Sequence, residues 1–407
     1  MKRPLLFSIH ALALGALFAS IPAGASDWMH WRGPNYNGTS PEKSWTTDWP
    51  KEGPKQLWKA SVGTGFSSFA VAQGRVYTVG NTADTDTLFC LDAKTGKEIW
   101  AYKYPCKLDA LYYEGGPGGT PTLEGKEVYF LSKRGDLLCL DAATGHEKWI
   151  KNIATEVAAK MPTWGYAGSV LVQGTNLIVN VGSHGVAVEK ATGKVVWKTG
   201  GDEAGYATPV PVRLNNKPAV AIFAKDSLVA VEAKDGKELW STSWKTQYDV
   251  NAADPIFNGE RVFLSSGYGT GGGVIDFHGG KPVVVWKSKT MHTQFGPCVL
   301  VNGYLYGISG NAGGDADLRC VEFSTGELKW KEASPKYGAM IVVDGKLVVI
   351  GEKGELIIAE ATPEAFKPLA RAQVLGGKCW TAPVLSDGRL FVRNAKGDVV
   401  CLDVSAK

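Results

Sequence analysis

One phrase of eleven residues recurs along the chain and limits what it can fold into. It reads CLDAKTGKEIW at 90–100 and CLDAATGHEKW at 139–149. Shorter or worn copies end at Trp197, Trp240, Trp286 and Trp330. A second recurring piece, such as EGKEVYFL from Glu124, stands ahead of each copy, so the repeat period is about 42 to 51 residues. A fixed period of this length indicates an array of similar structural units, which decides the architecture before any local feature does.

Each repeat contains four short strand-like segments, as a blade of a β-propeller does. In the second repeat these are TPTLEG, EVYFLS, DLLCLDA and a last segment that ends on Trp149. The Asp-x-x-Thr-Gly turn suits a hairpin, because aspartate accepts backbone N–H groups and glycine adopts a positive φ. The tryptophan offers a large flat face that can pack on the next blade. We therefore interpret the repeated Asp, Thr, Gly and Trp positions as structural, and we predict no catalytic residue.

Eight pairs of inner and second strands can be counted, so the chain is predicted to be an all-β, eight-bladed propeller. The pairs turn near Gly74, Gly125, Gly174, Asn216, Gly259, Gly303, Gly345 and Gly388. The last repeat has no fourth strand, whereas the chain begins with an orphan fourth strand at Trp58. We expect residues 57–60 to pair with 399–402, which would close the ring and remove an open sheet edge. In the seventh repeat, Phe366 and Leu369 are predicted to substitute for the missing tryptophan.

The first residues have the features of an export signal. MKR supplies positive charge, residues 5–21 are largely apolar, and AGA precedes a predicted cleavage before Ser26. The predicted organisation is a signal peptide at 1–25, an N-terminal extension at 26–56 and a single propeller domain at 57–407. Since the first cysteine is Cys90, no lipoprotein anchor is predicted, and no later segment is long enough to span a bilayer. We expect a soluble protein that is periplasmic or secreted.

Charge and cysteine usage point to neither nucleic acid nor metal. The chain has 44 basic and 40 acidic residues without a basic run, so nucleic acid is not an expected partner. Four of the seven cysteines occupy the same slot of the third strand, where small buried residues explain them better than ligation or a disulfide framework does. These four are Cys90, Cys139, Cys320 and Cys401. The six histidines show no paired spacing, and no metal ligand is predicted.

Binding residues are expected where the loops between blades gather at one mouth of the central channel. These loops are rich in aromatic residues and glycine. The candidate ligand-binding residues at this rim are Trp164, Tyr166, Tyr206, Tyr248, Asn251, His292, Gln294 and Trp380. One interpretation is a binding funnel, because aromatic faces can stack on a flat ring, a sugar or a peptide. The other is that these side chains plug the channel and pack the loops without any ligand.

The repeats resemble those of the pyrroloquinoline-quinone (PQQ) repeat family of eight-bladed propellers. The resemblance rests on G-x-V-Y followed by L-x-C-L-D-A-x-T-G-x-x-x-W and covers roughly residues 57–403. The segment DWMHWRGPNYNGTS from Asp27 is similar to exported members that are called BamB-like. Resemblance to the outer-membrane protein assembly factor BamB implies a non-enzymatic periplasmic scaffold with protein partners. The missing lipoprotein cysteine departs from that pattern.

The same family includes PQQ-dependent dehydrogenases, which gives an alternative function. In those enzymes the resemblance implies a quinone over a tryptophan, beneath a disulfide of adjacent cysteines, beside a calcium ion and an aspartate base. Trp380 or Trp164 could supply the floor, and Asn251 with Asp249 or Asp254 could supply calcium ligands, but no motif assigns them. No two cysteines are adjacent in this chain. We therefore predict a binding or scaffold protein with no assigned cofactor, PQQ being possible by resemblance alone.

Overall fold

The computed structural model describes residues 27–214 and 217–406, and in these it is built almost wholly of strands. The described residues form eight sheets, of which seven have four strands and one has five, so the prediction of an all-β, eight-bladed propeller is confirmed. The only α-helix among them is the short segment Ile153–Glu156, and Gln247–Asp249 and His278–Gly280 are 3-10 turns. The predicted signal peptide lies outside the described residues.

The first four blades follow each other along the chain, and each runs from the inner to the outer strand. Blade 1 contains Ala70–Ala72, Arg75–Thr82, Thr85–Asp92 and Glu98–Pro105. Blade 2 contains Thr122–Glu124, Glu127–Leu131, Asp136–Asp141 and Glu147–Asn152. Blade 3 contains Leu171–Gln173, Asn176–Val179, Val186–Glu189 and Val195–Lys198. Blade 4 contains Val210–Leu214, Lys217–Phe223, Ser227–Glu232 and Glu238–Ser243.

The last four blades use the same order until the final one. Blade 5 contains Ile256–Asn258, Arg261–Ser266, Gly271–Asp276 and Val283–Ser288. Blade 6 contains Val299–Val301, Tyr304–Gly310, Ala316–Glu322 and Leu328–Glu332. Blade 7 contains Gly338–Val343, Lys346–Gly351, Glu355–Glu360 and Pro368–Gln373, with Thr39–Ser40 added in parallel to its inner strand. Blade 8 contains Val384–Ser386, Arg389–Arg393 and Asp398–Asp403, with Lys55–Ser61 outermost.

Blade 8 is therefore made from both ends of the described chain. Lys55–Ser61 pairs antiparallel with Asp398–Asp403, and the register places Trp58 opposite Cys401 and Ala60 opposite Val399. Three strands of this sheet come from the last repeat, and its outer strand comes from before the first repeat. That this pairing stabilises the ring stays a prediction.

The recurrent cysteines lie opposite the recurrent tryptophans. Cys90 pairs with Trp100 and Cys139 with Trp149, and in both sheets the register shifts at the tryptophan pair. A small residue suits this position, because the partner strand already carries the largest side chain of the repeat. All seven cysteines are buried free thiols, which agrees with the interpretation of this slot as a packing position.

The repeated phrase docks each blade on the next one. The indole Nε1 of Trp100 donates a hydrogen bond of 3.1 Å to the carbonyl of Ala142 in the turn of blade 2. The ring lies over Gly145 of the same turn, where a Cβ would stand 2.6 Å from a ring carbon and where φ is +73°. Trp58 lies in the same way over Gly96 of blade 1, with its Nε1 3.0 Å from the carbonyl of Ala93. Tryptophan and glycine are thus two halves of one contact.

Blade 7 differs from the prediction made for it. Ala370 pairs with Ile358 at the position that tryptophan holds in the other blades. Leu369 is 43% exposed, so it does not replace the tryptophan. Phe366 instead receives the tryptophan of blade 6, since its ring centroid is 5.6 Å from that of Trp330. Phe366 therefore replaces the turn residue on which the preceding blade's tryptophan packs, and it does not replace the tryptophan of blade 7.

A buried arginine joins blade 8 to blade 1. Arg393 is 1% exposed, and its Nη1 donates to the carbonyls of Ser67 and Val79, each at 2.9 Å, and to the hydroxyl of Thr78 at 3.0 Å. Its Nη2 donates to the carbonyl of Gly63 at 3.2 Å. Burial lowers the pKa of Arg393 to about 9. Every acceptor lies in blade 1 or in the segment leading to it, so this side chain ties the last repeat to the first.

Candidate binding funnel

A cavity of about 970 Å³ opens between the loops that connect the blades. This volume is at the upper end of the range found for ligand sites in proteins. We call this cavity the funnel. Its wall contains twelve aromatic side chains: Trp28, Trp31, Phe66, Tyr112, Tyr113, Trp164, Tyr166, Tyr206, Tyr248, Tyr268, Phe295 and Trp380. Rings from many separate loops thus face one space.

Trp380 is the centre of the largest ring cluster. Its ring centroid is 5.6 Å from that of Phe66, 5.5 Å from Phe295 and 5.7 Å from Tyr337. The Nζ of Lys378 lies 4.2 Å from the Trp380 ring centroid and also forms an ion pair of 2.8 Å with Glu114. Because these contacts join loops of blades 8, 1, 6 and 7, the orientation of Trp380 is fixed by packing.

Smaller aromatic pairs line the rest of the wall. Trp164 and Tyr206 have ring centroids 5.9 Å apart, and Tyr248 and Tyr268 have centroids 5.2 Å apart in an edge-to-face arrangement. The amide of Gln294 holds the second pair, because its Nε2 donates to the hydroxyl of Tyr268 at 2.7 Å. Edge-to-face pairs of this kind leave ring faces available to a third group.

Two aromatic residues stand exposed at the rim. Tyr112 is 91% exposed and Tyr248 is 59% exposed. Both have left-handed backbone conformations, with φ of 66° and 68° respectively. For a residue other than glycine this conformation costs about 1 to 2 kcal/mol, and thirteen other non-glycine residues of the described chain adopt it as well, several of them in hairpin turns. The loops therefore hold these two rings in solvent against both the hydrophobic effect and backbone preference.

Residues 27–45, which we call the strap, cross the central channel. The backbone of Trp28 exchanges hydrogen bonds with Val71 of blade 1. Thr39–Ser40 pairs with the inner strand of blade 7, and Glu42 accepts from the backbone N–H groups of Asp387 and Gly388 in blade 8. Most of these contacts are at the hairpin ends of the inner strands, opposite the loop mouth. Because Trp28, Trp31, Arg32 and Gly38 also line the funnel, the strap forms its floor.

The strap is anchored in the channel by buried polar contacts. Trp31 Nε1 donates to Oδ2 of Asp254 at 2.6 Å, while the backbone N–H of Thr208 donates to Oδ1 at 2.9 Å. Arg32 donates to the carbonyls of Asn37 and Cys298, each at 2.9 Å. Asp254, at the start of blade 5, and Cys298, at the start of blade 6, thus hold one short turn of the strap.

Burial shifts the pKa values of two groups that contact the strap. Burial raises the pKa of Asp254 to about 6, and the charge of Arg32 and the two donated hydrogen bonds oppose that rise. Burial also lowers the pKa of His30 to about 4, against the effect of its contact with the carbonyl of Trp31. His30 is stacked on Tyr36, with ring centroids 3.8 Å apart. Burial therefore favours the neutral form of His30.

Six of the eight candidate residues line the funnel, namely Trp164, Tyr166, Tyr206, Tyr248, Gln294 and Trp380. Asn251 is fully buried outside it, where Nδ2 donates to the carbonyls of Ala224, Lys225 and Trp244 and Oδ1 accepts from Ser266. His292 lies behind the wall, where Nδ1 contacts the hydroxyl of Ser309 and the carbonyl of Lys289. These two residues are explained by their structural contacts, and whether the other six bind a ligand stays a prediction.

Several wall residues were not predicted from the sequence. Phe66, Tyr113 and Phe295 lie in the loops between blades, and Tyr268 lies in a turn between two strands of blade 5, so they do not share one repeat position. Trp28 and Trp31 belong to the strap, which precedes the first repeat and shares none of its pattern. The signal that could have found them is the density of aromatic residues in WMHWRGPNY, which is unusual for a linker.

Residues 40–116 and 111–332 match the protein family described as outer membrane protein assembly factor BamB. The chain belongs to this family. No curated protein sequence matches the chain. Among the described residues, no helix combines the length and apolar composition that crossing a bilayer would require.

Solved structures with the same fold include BamB and dehydrogenases. BamB from Moraxella catarrhalis has a TM-score of 0.62 and 17% identity, covering 85% of this chain and 96% of its own. Quinohemoprotein alcohol dehydrogenase from Comamonas testosteroni has a TM-score of 0.68 and 15% identity, covering 94% and 81%. A europium-containing methanol dehydrogenase has a TM-score of 0.67 and 13% identity, covering 93% and 89%. At these identities the likeness concerns the fold alone.

The residues of the funnel do not fit PQQ and a calcium ion. PQQ is a tricarboxylate, yet the charged side chains that line the funnel in the described chain are only Arg32, Asp249 and Asp254. Arg32 already donates to backbone carbonyls, and both oxygens of Asp254 already accept hydrogen bonds. The amide of Asn251, which could supply a calcium ligand by resemblance alone, is consumed by four protein contacts. Among the described residues, no three Asp, Glu, His or Cys side chains are grouped as metal ligands would be.

Proposed function

We propose that this protein is a non-enzymatic, exported propeller that acts as a binding scaffold and holds its partner in the funnel. The observation that carries the proposal is the funnel itself: its wall is aromatic and the strap forms its floor. Aromatic rings fixed in place lose little conformational freedom on binding, which is why they dominate binding hot spots. A closed floor favours capture of a ligand over passage through the channel.

The family description suggests the kind of partner. BamB is named as an assembly factor for outer membrane proteins, and we propose that this chain serves the same class of client in the periplasm. The predicted export signal at 1–25 supports that location. Client polypeptides that have not yet folded expose apolar and aromatic side chains, which are the groups that an aromatic wall attracts.

Binding to one purified outer membrane β-barrel protein tests this function. The mature protein would be titrated into a fluorescently labelled, urea-unfolded barrel protein at low residual urea, and anisotropy would be measured. Trp380→Ala and Tyr206→Ala should each weaken binding at least tenfold, about 1.4 kcal/mol. Tyr102→Ala is the matched control, because this aromatic residue lies on the outer strand of blade 1 and its hydroxyl contacts Glu147.

Two results would overturn the proposal. One is the absence of binding to several unrelated barrel proteins at micromolar concentration. The other is dye-linked dehydrogenase turnover on alcohols or sugars after addition of PQQ and calcium, with loss of that turnover on chelation. The second result would support the dehydrogenase alternative, whose fold this chain shares.

A further inference from the structure

The funnel wall contains few charged side chains, and each of them already has a partner in the protein. Of the charged side chains that line it, Asp249 is at the rim and pairs with Lys225 at 3.7 Å. Asp254 and Arg32 are buried, at 5% and 6% exposure, and make hydrogen bonds within the protein. A charged ligand group entering here would lose its hydration without gaining a free partner of opposite charge, which is costly.

Most glutamine, serine and threonine side chains of the wall are also engaged. Gln294 donates to Tyr268 and accepts from the N–H of Ala312 at 2.7 Å. The hydroxyl of Ser68 donates to the carbonyl of Ala382 at 2.8 Å, and that of Thr381 donates to the carbonyl of Phe66 at 3.2 Å. Sugar recognition needs hydrogen-bonding groups around each stacked ring, because the hydroxyls of a buried sugar must be satisfied. Apart from the tyrosine hydroxyls and Thr163, the polar side chains of this wall already hold contacts within the protein, so few groups remain to satisfy the hydroxyls of a buried sugar.

The floor of the funnel includes Trp31 together with Trp28. The indole N–H of Trp31 is used by Asp254, so its orientation is fixed while its ring remains partly accessible in the cavity wall. Trp31 belongs to the strap, whose hydrogen bond to Asp254 holds it in the wall of the same cavity as Trp380. A ligand that reaches from the rim to the floor therefore meets aromatic faces at both ends of its path.

We infer that the funnel binds an uncharged, aromatic-rich segment of extended polypeptide, with Trp31 as the aromatic contact that the floor supplies to one of its side chains. This inference rests on the proposed function and names the part of the client that is recognised. An extended segment supplies side chains at regular intervals, and its own amides can remain solvated at the open mouth. Two alternatives share the aromatic requirement: a sugar would find few free hydrogen-bonding side chains besides the tyrosine hydroxyls, and an anionic ring would find no free basic side chain in the wall.

Short labelled peptides test the inference by fluorescence anisotropy with the mature protein. All would be acetylated and amidated: one alternates Tyr or Phe with Ser and Gly, a second replaces its aromatic residues with Ser, and a third adds Asp between the aromatic residues. Maltohexaose and PQQ with calcium serve as competitors. We expect the second and third peptides to bind at least tenfold more weakly than the first, and neither competitor to displace it.

Variants of Trp31 locate the contact. Trp31→Ala should weaken binding of the first peptide at least tenfold, whereas Trp31→Phe, which keeps a ring and loses the N–H, should stay within about threefold if the ring is what the ligand meets. Melting temperature and far-UV circular dichroism identify a variant that has not folded, and the Phe variant then carries the test. Tyr102→Ala should bind as the wild type does.

Several outcomes would overturn the inference. These are equal affinity for the neutral and the Asp-containing peptides, displacement by maltohexaose or by the quinone, or full affinity in folded Trp31→Ala. They are distinguishable from a failure of the proposed function. If the unfolded barrel protein binds and Trp380→Ala weakens it while peptides without aromatic residues compete equally well, only the ligand class is wrong. If the barrel protein does not bind at all, the scaffold function fails first.

Discussion

The contact between Trp100 and Gly145 predicts an unusual pattern of substitution effects. Gly145 has φ of +73°, and a Cβ built on it would stand 2.6 Å from the indole of Trp100. Gly74 offers a matched control, since its φ is +71° and nothing lies within 4 Å of its Cβ position. Both Gly→Ala changes carry the same backbone penalty, and only one of them meets the ring.

The magnitudes follow from these geometries. Alanine in a left-handed backbone conformation costs about 1 to 2 kcal/mol, so Gly74→Ala should lower the free energy of unfolding by that amount. Gly145→Ala adds overpacking, which costs about 1 to 3 kcal/mol more. Trp100→Ala removes a ring that is 9% exposed, and truncations of this type cost about 3 to 5 kcal/mol.

A double-mutant cycle isolates the docking contact. In the Trp100→Ala background the ring is absent, so Gly145→Ala should cost only the backbone penalty of about 1 to 2 kcal/mol. Urea unfolding followed by far-UV circular dichroism measures all five proteins, with equal m-values required before free energies are compared. The reasoning is refuted if Gly145→Ala costs no more than Gly74→Ala, or if its cost is unchanged once Trp100 is gone.

Two further predictions concern the ends of the chain. Removing all residues up to Ser61 takes away the outer strand of blade 8 and exposes the edge of Asp398–Asp403. We therefore expect aggregation or a large fall in melting temperature. A truncated protein as stable as the mature one would contradict ring closure by this strand. The pKa of His30 is lower in the folded protein than in the unfolded chain, so the unfolded state binds the proton more readily and stability is lost as pH falls from 6.5 towards 4. His30→Phe keeps a ring against Tyr36. Between pH 7 and pH 5 its free energy of unfolding, measured with urea, should fall by about 2 kcal/mol less than that of the wild type. Equal falls in the two proteins would show that His30 does not titrate in this way.

The parts of the fold that could be predicted are those that the repeat encodes locally. The Asp-x-x-Thr-Gly turn and its tryptophan give the strand order and the contact between blades, because each contact repeats the same residues. The prediction for blade 7 is wrong because Phe366 lies in the turn on which Trp330 of blade 6 packs. Spacing alone cannot distinguish a residue in that turn from one at the tryptophan position.

The site was predictable only where it follows the repeat. Tyr206 and Trp380 both lie in loops shortly before an inner strand, and both line the funnel, while their role in binding stays a prediction. Asn251 occupies a neighbouring loop, but its four hydrogen bonds turn it into the interior, and no sequence pattern reveals that choice. Trp31 could not be placed either, because its contact with Asp254 joins residues 223 positions apart.

Site-specific photo-crosslinking in a defined mixture tests most directly whether the partner sits in the funnel. Benzoylphenylalanine would replace either Tyr112, which is 91% exposed at the rim, or Val283, which is 62% exposed on the outer edge of blade 5. Each protein would be irradiated with one purified, urea-unfolded barrel protein after dilution. We predict an adduct from position 112 that the neutral aromatic peptide suppresses, and little adduct from position 283. Crosslinking from position 283 without crosslinking from position 112 would show that the partner binds the outer edge of the propeller and that the funnel is only packing.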